Sequence, residues 1–311
     1  EGREERTMTP PLDNPRGGGV VRPDWPRGPT EWIGGRTLHV SVPFTWNLPA
    51  VRRRLSQRDF RWDSARVGGP AVDLMPDYLA DLADLEVGGA LDGVLQRVNP
   101  RATRTTTGCV RACGFCGVGR GLIEPGGLRE LADWPDLPIV CDNNLLAASI
   151  DHFDRVIDRL IPHGWADFNQ GLDAHFLTPY HARRLAEIPK VMVRLAADAP
   201  IGRPTADWTR ALELLLDAGL PKSRIRSYCL IGFGAGPEEA WARCRAVEAA
   251  GVKPLPMWFH ALDALQHNAV TPMQRAVGWT DTDRKAIMQW FYQHRTSGGR
   301  YARAVPEKKG P

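Results

Sequence analysis

Three thiols crowd one stretch of this sequence. Cys109, Cys113 and Cys116 lie in the run Thr105-Thr106-Thr107-Gly108-Cys109-Val110-Arg111-Ala112-Cys113-Gly114-Phe115-Cys116-Gly117, spaced C-x3-C-x2-C with an aromatic residue before the last cysteine. Thiolates this close together bind soft metals. Structural zinc takes four ligands, usually from paired CxxC arms, and no fourth ligand stands at a suitable spacing. A 4Fe–4S cluster held by three cysteines leaves one iron open to a substrate or cofactor. Both metal readings outrank three unrelated core cysteines, and the spacing favours the cluster.

The other three cysteines read differently. Cys244 lies between Trp241 and Val247 at helical spacing and reads as core, and Cys229 as packing within a strand. Cys141 adjoins the edge where chemistry is expected. It is a candidate catalytic residue, together with His260 and Asp263 after the last expected strand. For His260 a satisfied structural imidazole is the plainer reading.

These residues need elements to position them. From residue 102 the pattern is a βα alternation, with strands expected at 103–108, 138–142, 167–172, 191–197, 224–233 and 254–259. Leu146, Ile150, Phe153, Ile157 and Leu160 repeat at helical spacing, and Pro162 and Gly164 end that run. Thr178-Pro179, Thr205 and Pro237 open further helices. Six strands with crossover helices predict a parallel sheet in an α/β fold. The cysteine loop follows the first strand, at the C-terminal edge where α/β active sites form.

Before the alternation, residues 1–34 read as an irregular leader rich in proline and glycine, with Trp25 and Trp32 as possible anchors. Residues 35–101 read as a small α/β segment: a strand through Leu38, Val40 and Val42, a helix from Leu48 to Leu55, and a second strand over 65–72. Residues 102–265 carry the alternation, and residues 266–311 read as a helical extension and tail.

Composition bounds the rest. The chain has 311 residues, 43% hydrophobic and 24% charged, enough to bury a core without staples. With 40 basic and 36 acidic residues interleaved, no phosphate-tracking stripe is visible. The basic set is 34 Arg and 6 Lys, which fits a coding bias as well as anion recognition. No apolar run reaches membrane-spanning length and no secretory signal is readable, so the expected compartment is cytoplasmic, with no membrane partner.

Cys109, Cys113, Phe115 and Cys116 reproduce the signature C-x3-C-x-aromatic-C, and the chain resembles the radical SAM superfamily. The resemblance implies a partial (β/α)6 barrel, a site-differentiated 4Fe–4S cluster, and S-adenosylmethionine chelated to the open iron. It further implies reductive cleavage to a 5′-deoxyadenosyl radical that abstracts hydrogen from a substrate, with electrons from a flavodoxin- or ferredoxin-type donor. By the same resemblance, Asp142, Asn143 and Asn144 stand where the family often has Gly-Gly-Glu, the receiver of the cofactor's amine. As residues, Asn143 or Asn144 equally reads as the cap of the next helix.

Asn169, Gln170, Asp173, Arg194 and Asp198, at later strand ends, are candidates for the cofactor's carboxylate and ribose. Leu230 and Gly232 resemble the adenine-facing segment, although Tyr228 and Ala235 depart from its pattern. The segment before the barrel resembles part of a cobalamin-binding domain, shortened and without its Asp-x-His motif. It is expected to cap the barrel, with cobalamin possible but not favoured. A cobalamin-dependent methyltransferase and a zinc-stabilised or cofactor-binding module are the alternatives. The substrate is not readable.

Overall fold

The computed structural model describes residue 25 and residues 28–57, 61–82, 85–89, 91–198 and 205–296. Most of the expected leader and the end of the tail lie outside these residues.

The chain first forms a four-stranded sheet. β1 (Thr30–Gly34) and β2 (Thr37–Ser41) make an antiparallel hairpin, followed by α1 (Leu48–Leu55), β3 (Ser64–Gly68), α2 (Pro70–Leu74) and β4 (Leu85–Val87). β2, β3 and β4 run parallel. Leu38, Val40 and Val67 point inward with Leu48 and Val51 of α1, and all five are buried. Removing side chains of this size from water is worth about 1.5–3 kcal/mol each.

This unit departs from the expectation at two points. Thr30–Gly34, assigned to the irregular leader, is a strand: Trp32 stacks on His39 of the partner strand at 4.9 Å, and Arg97 lies over the same indole. The strand expected over 65–72 stops at Gly68, because Pro70 opens α2. Proline supplies a helical φ and no N–H for a ladder, so it starts a helix more readily than it continues a strand.

After α3 (Val94–Val98) comes the larger sheet. Its strands are β5 (Ala102–Thr103), β8 (Ile139–Val140), β9 (Ala166–Phe168), β10 (Val191–Ala196), β11 (Ile225–Ile231) and β12 (Lys253–Trp258), and β6 (Thr106–Thr107) and β7 (Arg129–Glu130) form a small hairpin inserted after β5. The crossover helices are α4 (Ile150–Leu160), α5 (Pro179–Ala186), α6 (Ala206–Asp217) and α7 (Pro237–Ala249). Spatial order is β5-β8-β9-β10-β11-β12, the order of the chain, and every pairing is parallel. Right-handed crossovers without a reversal of direction put the helices on one face.

The strands show which face that is. In β11 Ile225, Ser227, Cys229 and Ile231 are buried, and the Trp208 indole of α6 donates to Ser227 at 2.9 Å. The alternate residues Arg226, Tyr228 and Leu230 are half-buried on the opposite, inner face. Helix starts follow the sequence closely. Thr178 and Thr205 accept from the backbone N–H three residues on. α4 is capped by Ser149, not by Asn143 or Asn144, because a short 3-10 turn over Leu145–Ala147 intervenes.

The sheet is open, with β5 and β12 at its edges. Phe259 donates its N–H to Ile231 of β11, so by alternation the donors of residues 254 and 256 would face outward. Both positions are proline. α8 (Pro272–Ala276) and α9 (Asp281–Thr296) follow, and Val270, Trp279 and Ile287 join the same continuous core as the six-stranded sheet. Among the described residues no helix is long and apolar enough to cross a membrane.

Candidate functional site

The cysteine loop starts beyond β5, directly after β6. The β6–β7 hairpin brings residues 106–107 against residues 129–130, and Gly108 then turns the chain with a φ of 71°. A Cβ on Gly108 would lie 1.9 Å from the Gly127 carbonyl oxygen, so only glycine fits. Cys116 donates its N–H to the Cys113 carbonyl at 3.0 Å, closing a turn around Phe115. All three cysteines are half-exposed. Burial pushes the Cys113 thiol up, and the nearby charges of Cys116 and Cys109 add to this. The loop also meets the first sheet, because a Cβ on Gly117 would stand 3.5 Å from Leu74 of α2.

A polar framework holds this loop. Both oxygens of Glu124 take Arg104, and Oε2 also accepts the Gly108 N–H at 2.7 Å and the Asn143 amide at 2.8 Å. Burial opposes ionisation here, yet these donors hold the Glu124 carboxyl below its usual range. Asp142 accepts from the Thr105 and Thr106 N–H groups at 2.6 and 2.9 Å and from the Thr105 hydroxyl at 2.5 Å. It is 3% exposed, and burial raises its carboxyl.

The buried His152 completes this support. Its Nδ1 lies 3.0 Å from the Arg155 guanidinium, which can only donate, so Nε2 carries the proton and donates to Thr105 at 3.1 Å. Burial and Arg155 keep this imidazole neutral, pulling it below the usual range against the carboxylate of Glu130.

Asn144 faces the loop directly. Its amide nitrogen donates to the Cys109 sulfur at 3.6 Å and to Asp173 at 3.3 Å, while its buried Oδ1 has no partner among the described residues. Asp173 pairs with Arg111 of the loop at 3.5 Å and accepts the His175 N–H at 3.0 Å. Asn144, Asp173, Arg111 and Cys109 therefore form one group.

The remaining candidates are spread around this group. Phe115 meets Phe233 edge to face at 5.6 Å, and Phe233 meets Phe259 at 4.9 Å, an aromatic row from the loop to the ends of β11 and β12. Leu230 lies in β11 on its half-buried face, and Gly232 directly precedes Phe233 with a φ of 80°. The carboxylate of Asp198 takes the Leu230 N–H, and burial pushes it up to about 6. The Asn169 carbonyl accepts the Tyr228 hydroxyl at 2.5 Å, and Gln170 is exposed in the following turn. Arg194 is bound to Asp167 of the neighbouring strand, so its fork already holds a carboxylate of the protein.

The three catalytic candidates do not gather at the loop. Cys141 packs with Ala102 and Ile139, and burial and the charge of Asp142 push its thiol up to about 12. His260 accepts the Asn268 N–H at 3.1 Å on Nε2 and bonds the Trp258 backbone with its other side. Burial and neighbouring His267 lower it to about 4, and Trp46 lies over both rings. With both nitrogens engaged, His260 is structural. Asp263 is exposed.

Glu124, Arg104, Thr105 and His152 were not among the expected residues. The signal for Glu124 was there: it is the only carboxylate between Cys116 and Glu130, inside a stretch of glycines.

The donor set suits a multi-iron cluster carrying a small ligand. Three thiols share one loop, a side-chain amide donates to one sulfur, and a buried acceptor with no partner among the described residues sits beside it. Among the described residues no group of three His, Cys, Asp or Glu, the three loop cysteines included, converges as the ligands of a single ion would.

No protein-family model matches the chain, and no curated protein matches it. The fold is similar to solved structures of TsrM from Kitasatospora setae, a radical S-adenosylmethionine methyltransferase. The structure with cobalamin and a [4Fe-4S] cluster bound aligns at a TM-score of 0.50 and 15% identity, over 72% of this chain and 63% of that one. The structure with tryptophan substrate and the analogue aza-SAM aligns at 0.50 and 14%, over 73% and 62%. The chain thus spans 63% of the length of the first, and the likeness is one of fold.

Proposed function

We propose that this chain is a radical S-adenosylmethionine enzyme, with Cys109, Cys113 and Cys116 holding a single 4Fe–4S cluster. The observation that carries the reading is the loop's position. It follows the first strand of a parallel sheet whose six strands are in chain order, beside a buried acceptor on Asn144 with no partner among the described residues. We read that sheet as a partial (β/α)6 barrel with the site at its mouth. When bound and reduced by a flavodoxin- or ferredoxin-type donor, cluster and cofactor together supply a 5′-deoxyadenosyl radical for hydrogen abstraction.

The chain's own residues then have distinct tasks. Asn144 hydrogen-bonds one ligand sulfur and offers Oδ1 to an ammonium group. Glu124, Arg104 and Asp142 fix the loop's two ends, and Phe233 and Phe259 keep water from the wall. Anaerobic reconstitution followed by iron and sulfide analysis tests the reading. Four irons and four sulfides per chain, lost on triple replacement of the three cysteines by Ala, and slow release of 5′-deoxyadenosine are expected. One zinc with no sulfide would end it.

The fold likeness favours a second reading, a cobalamin-dependent methyltransferase. The N-terminal unit has four strands rather than the two legible in sequence, and it leans on the mouth: Thr45 donates to the Ala264 carbonyl at 2.6 Å. Against it, the one histidine of that unit, His39, is held in β2 against Trp32. We read the unit as a cap over the mouth. Stoichiometric retention of hydroxocobalamin after desalting would replace this reading with the methyltransferase.

A further inference from the structure

The ends of β11 and β12 pose a physical problem. The last ladder bond between them runs from the Phe259 N–H to the Ile231 carbonyl at 2.8 Å, and the next two carbonyls, on Gly232 and Phe259, have no rung to join. Buried carbonyls without donors are costly. Here one side chain serves both. The amide nitrogen of Gln274 donates to the Gly232 oxygen at 3.0 Å and to the Phe259 oxygen at 3.0 Å.

Gln274 comes from α8, outside the βα alternation, and is 3% exposed. Its own position is fixed from behind. Thr271 donates its N–H and hydroxyl to Gln274 Oε1 at 2.9 and 3.1 Å, and the Gln274 N–H returns to the Thr271 hydroxyl at 3.3 Å. With Oε1 engaged this way, the nitrogen must face the two strand ends. The fit is close: a Cβ on Gly232, whose φ is 80°, would stand 2.7 Å from the Trp258 ring and 3.1 Å from the Gln274 nitrogen.

The two bonded residues bear the wall of the site. Phe259 packs on Phe233, the neighbour of Gly232, and Phe233 packs on Phe115 between the second and third cysteines. We infer that Gln274 is a positioning residue for the cofactor wall, and that the C-terminal extension is therefore part of the cofactor site. This rests on the radical S-adenosylmethionine reading. Gln274 acts as a side-chain rung that holds β11 and β12 together one step past the ladder, and so sets where Phe233 and Phe259 stand relative to the cysteine loop.

Two Gln274 variants, one control variant and one measurement on the unaltered protein test this, all with anaerobically reconstituted full chain. S-adenosylhomocysteine, the stable analogue, is the probe. Gln274→Met removes both donors at similar volume and should weaken binding about tenfold with iron content unchanged. Gln274→Glu also removes them, but its protonated form can donate once. Its binding should therefore weaken more steeply as pH rises than that of the unaltered protein, whose Asp198 beside Leu230 titrates at about 6.

Met273→Ala, exposed on the same helix, should bind normally. In the unaltered protein the probe should slow hydrogen exchange in residues 271–276 as well as 230–233. Normal affinity in both Gln274 variants, or no protection of 271–276 when 230–233 is protected, overturns the inference and leaves the functional reading standing. No binding of the probe by the unaltered, iron-loaded protein overturns both.

Discussion

Glu124 accepts the backbone N–H of Gly108 at 2.7 Å, so a carboxylate fifteen residues downstream fixes the approach to Cys109. The same carboxylate binds Arg104 and Asn143, which joins the ends of β5 and β8 to the loop. Glu124→Ala removes every one of these bonds and leaves Arg104 without its partner. Urea unfolding should show a loss of about 1–3 kcal/mol, and reconstituted iron should fall by more than half. Glu124→Gln, which keeps an acceptor, should retain more iron than the alanine variant.

Glycines in this loop are not equivalent. Gly108→Ala puts a methyl group 1.9 Å from the Gly127 oxygen at a φ of 71°, which the backbone cannot absorb without opening the β6–β7 hairpin. Gly114→Ala meets only Phe233, at 3.7 Å. The first variant should fail to hold iron, and the second should be reconstituted as the parent is. Equal iron content in the two would show that the hairpin does not set the loop.

Asn144 donates both to Cys109, which we propose as a cluster ligand, and to Asp173. Asn144→Ala removes the bond to the Cys109 sulfur, and hydrogen bonds to sulfur raise a cluster's potential. The variant's cluster should therefore reduce at a more negative potential. It should also bind S-adenosylmethionine about tenfold more weakly, through loss of Oδ1.

Two half-buried groups pull stability in opposite directions with pH. Asp198 keeps its proton up to about 6 when folded but releases it near 3.8 when unfolded. The folded state binds the extra proton, so this contribution falls as pH rises from about 4 to 6. His260 loses its proton at about 4 when folded and at 6.5 when unfolded, so its contribution rises over much of the same range. Asp198→Asn should make stability climb more steeply than in the parent between these pH values, by about 3 kcal/mol, and His260→Gln should make it climb less. Urea titrations of the metal-free chain at several pH values check both signs.

Much of the six-stranded sheet was legible because buried parallel strands are short apolar runs between helices with readable caps. Val191, Val193 and Leu195 announced β10, and Thr178 and Thr205 announced α5 and α6. β1 was hidden because the prolines and glycines around Trp32 mask a hairpin that exists only by pairing with β2. The role of Arg194 was hidden for a related reason. Whether its fork is open to a ligand depends on Asp167, twenty-seven residues earlier, and only strand register brings the two together. Asn144 was found by position, but its orientation toward Cys109 follows from the 3-10 turn that precedes α4.

The prolines at 254 and 256 have a consequence for how any substrate is recognised. An extended peptide that docks by adding a strand draws its affinity from a free row of main-chain donors. On β12 that row is interrupted at two successive outward positions, so a peptide laid there finds carbonyls but few N–H groups. A peptidic substrate would have to be selected by its side chains or its termini, and a neighbouring copy of the chain is denied the same foothold.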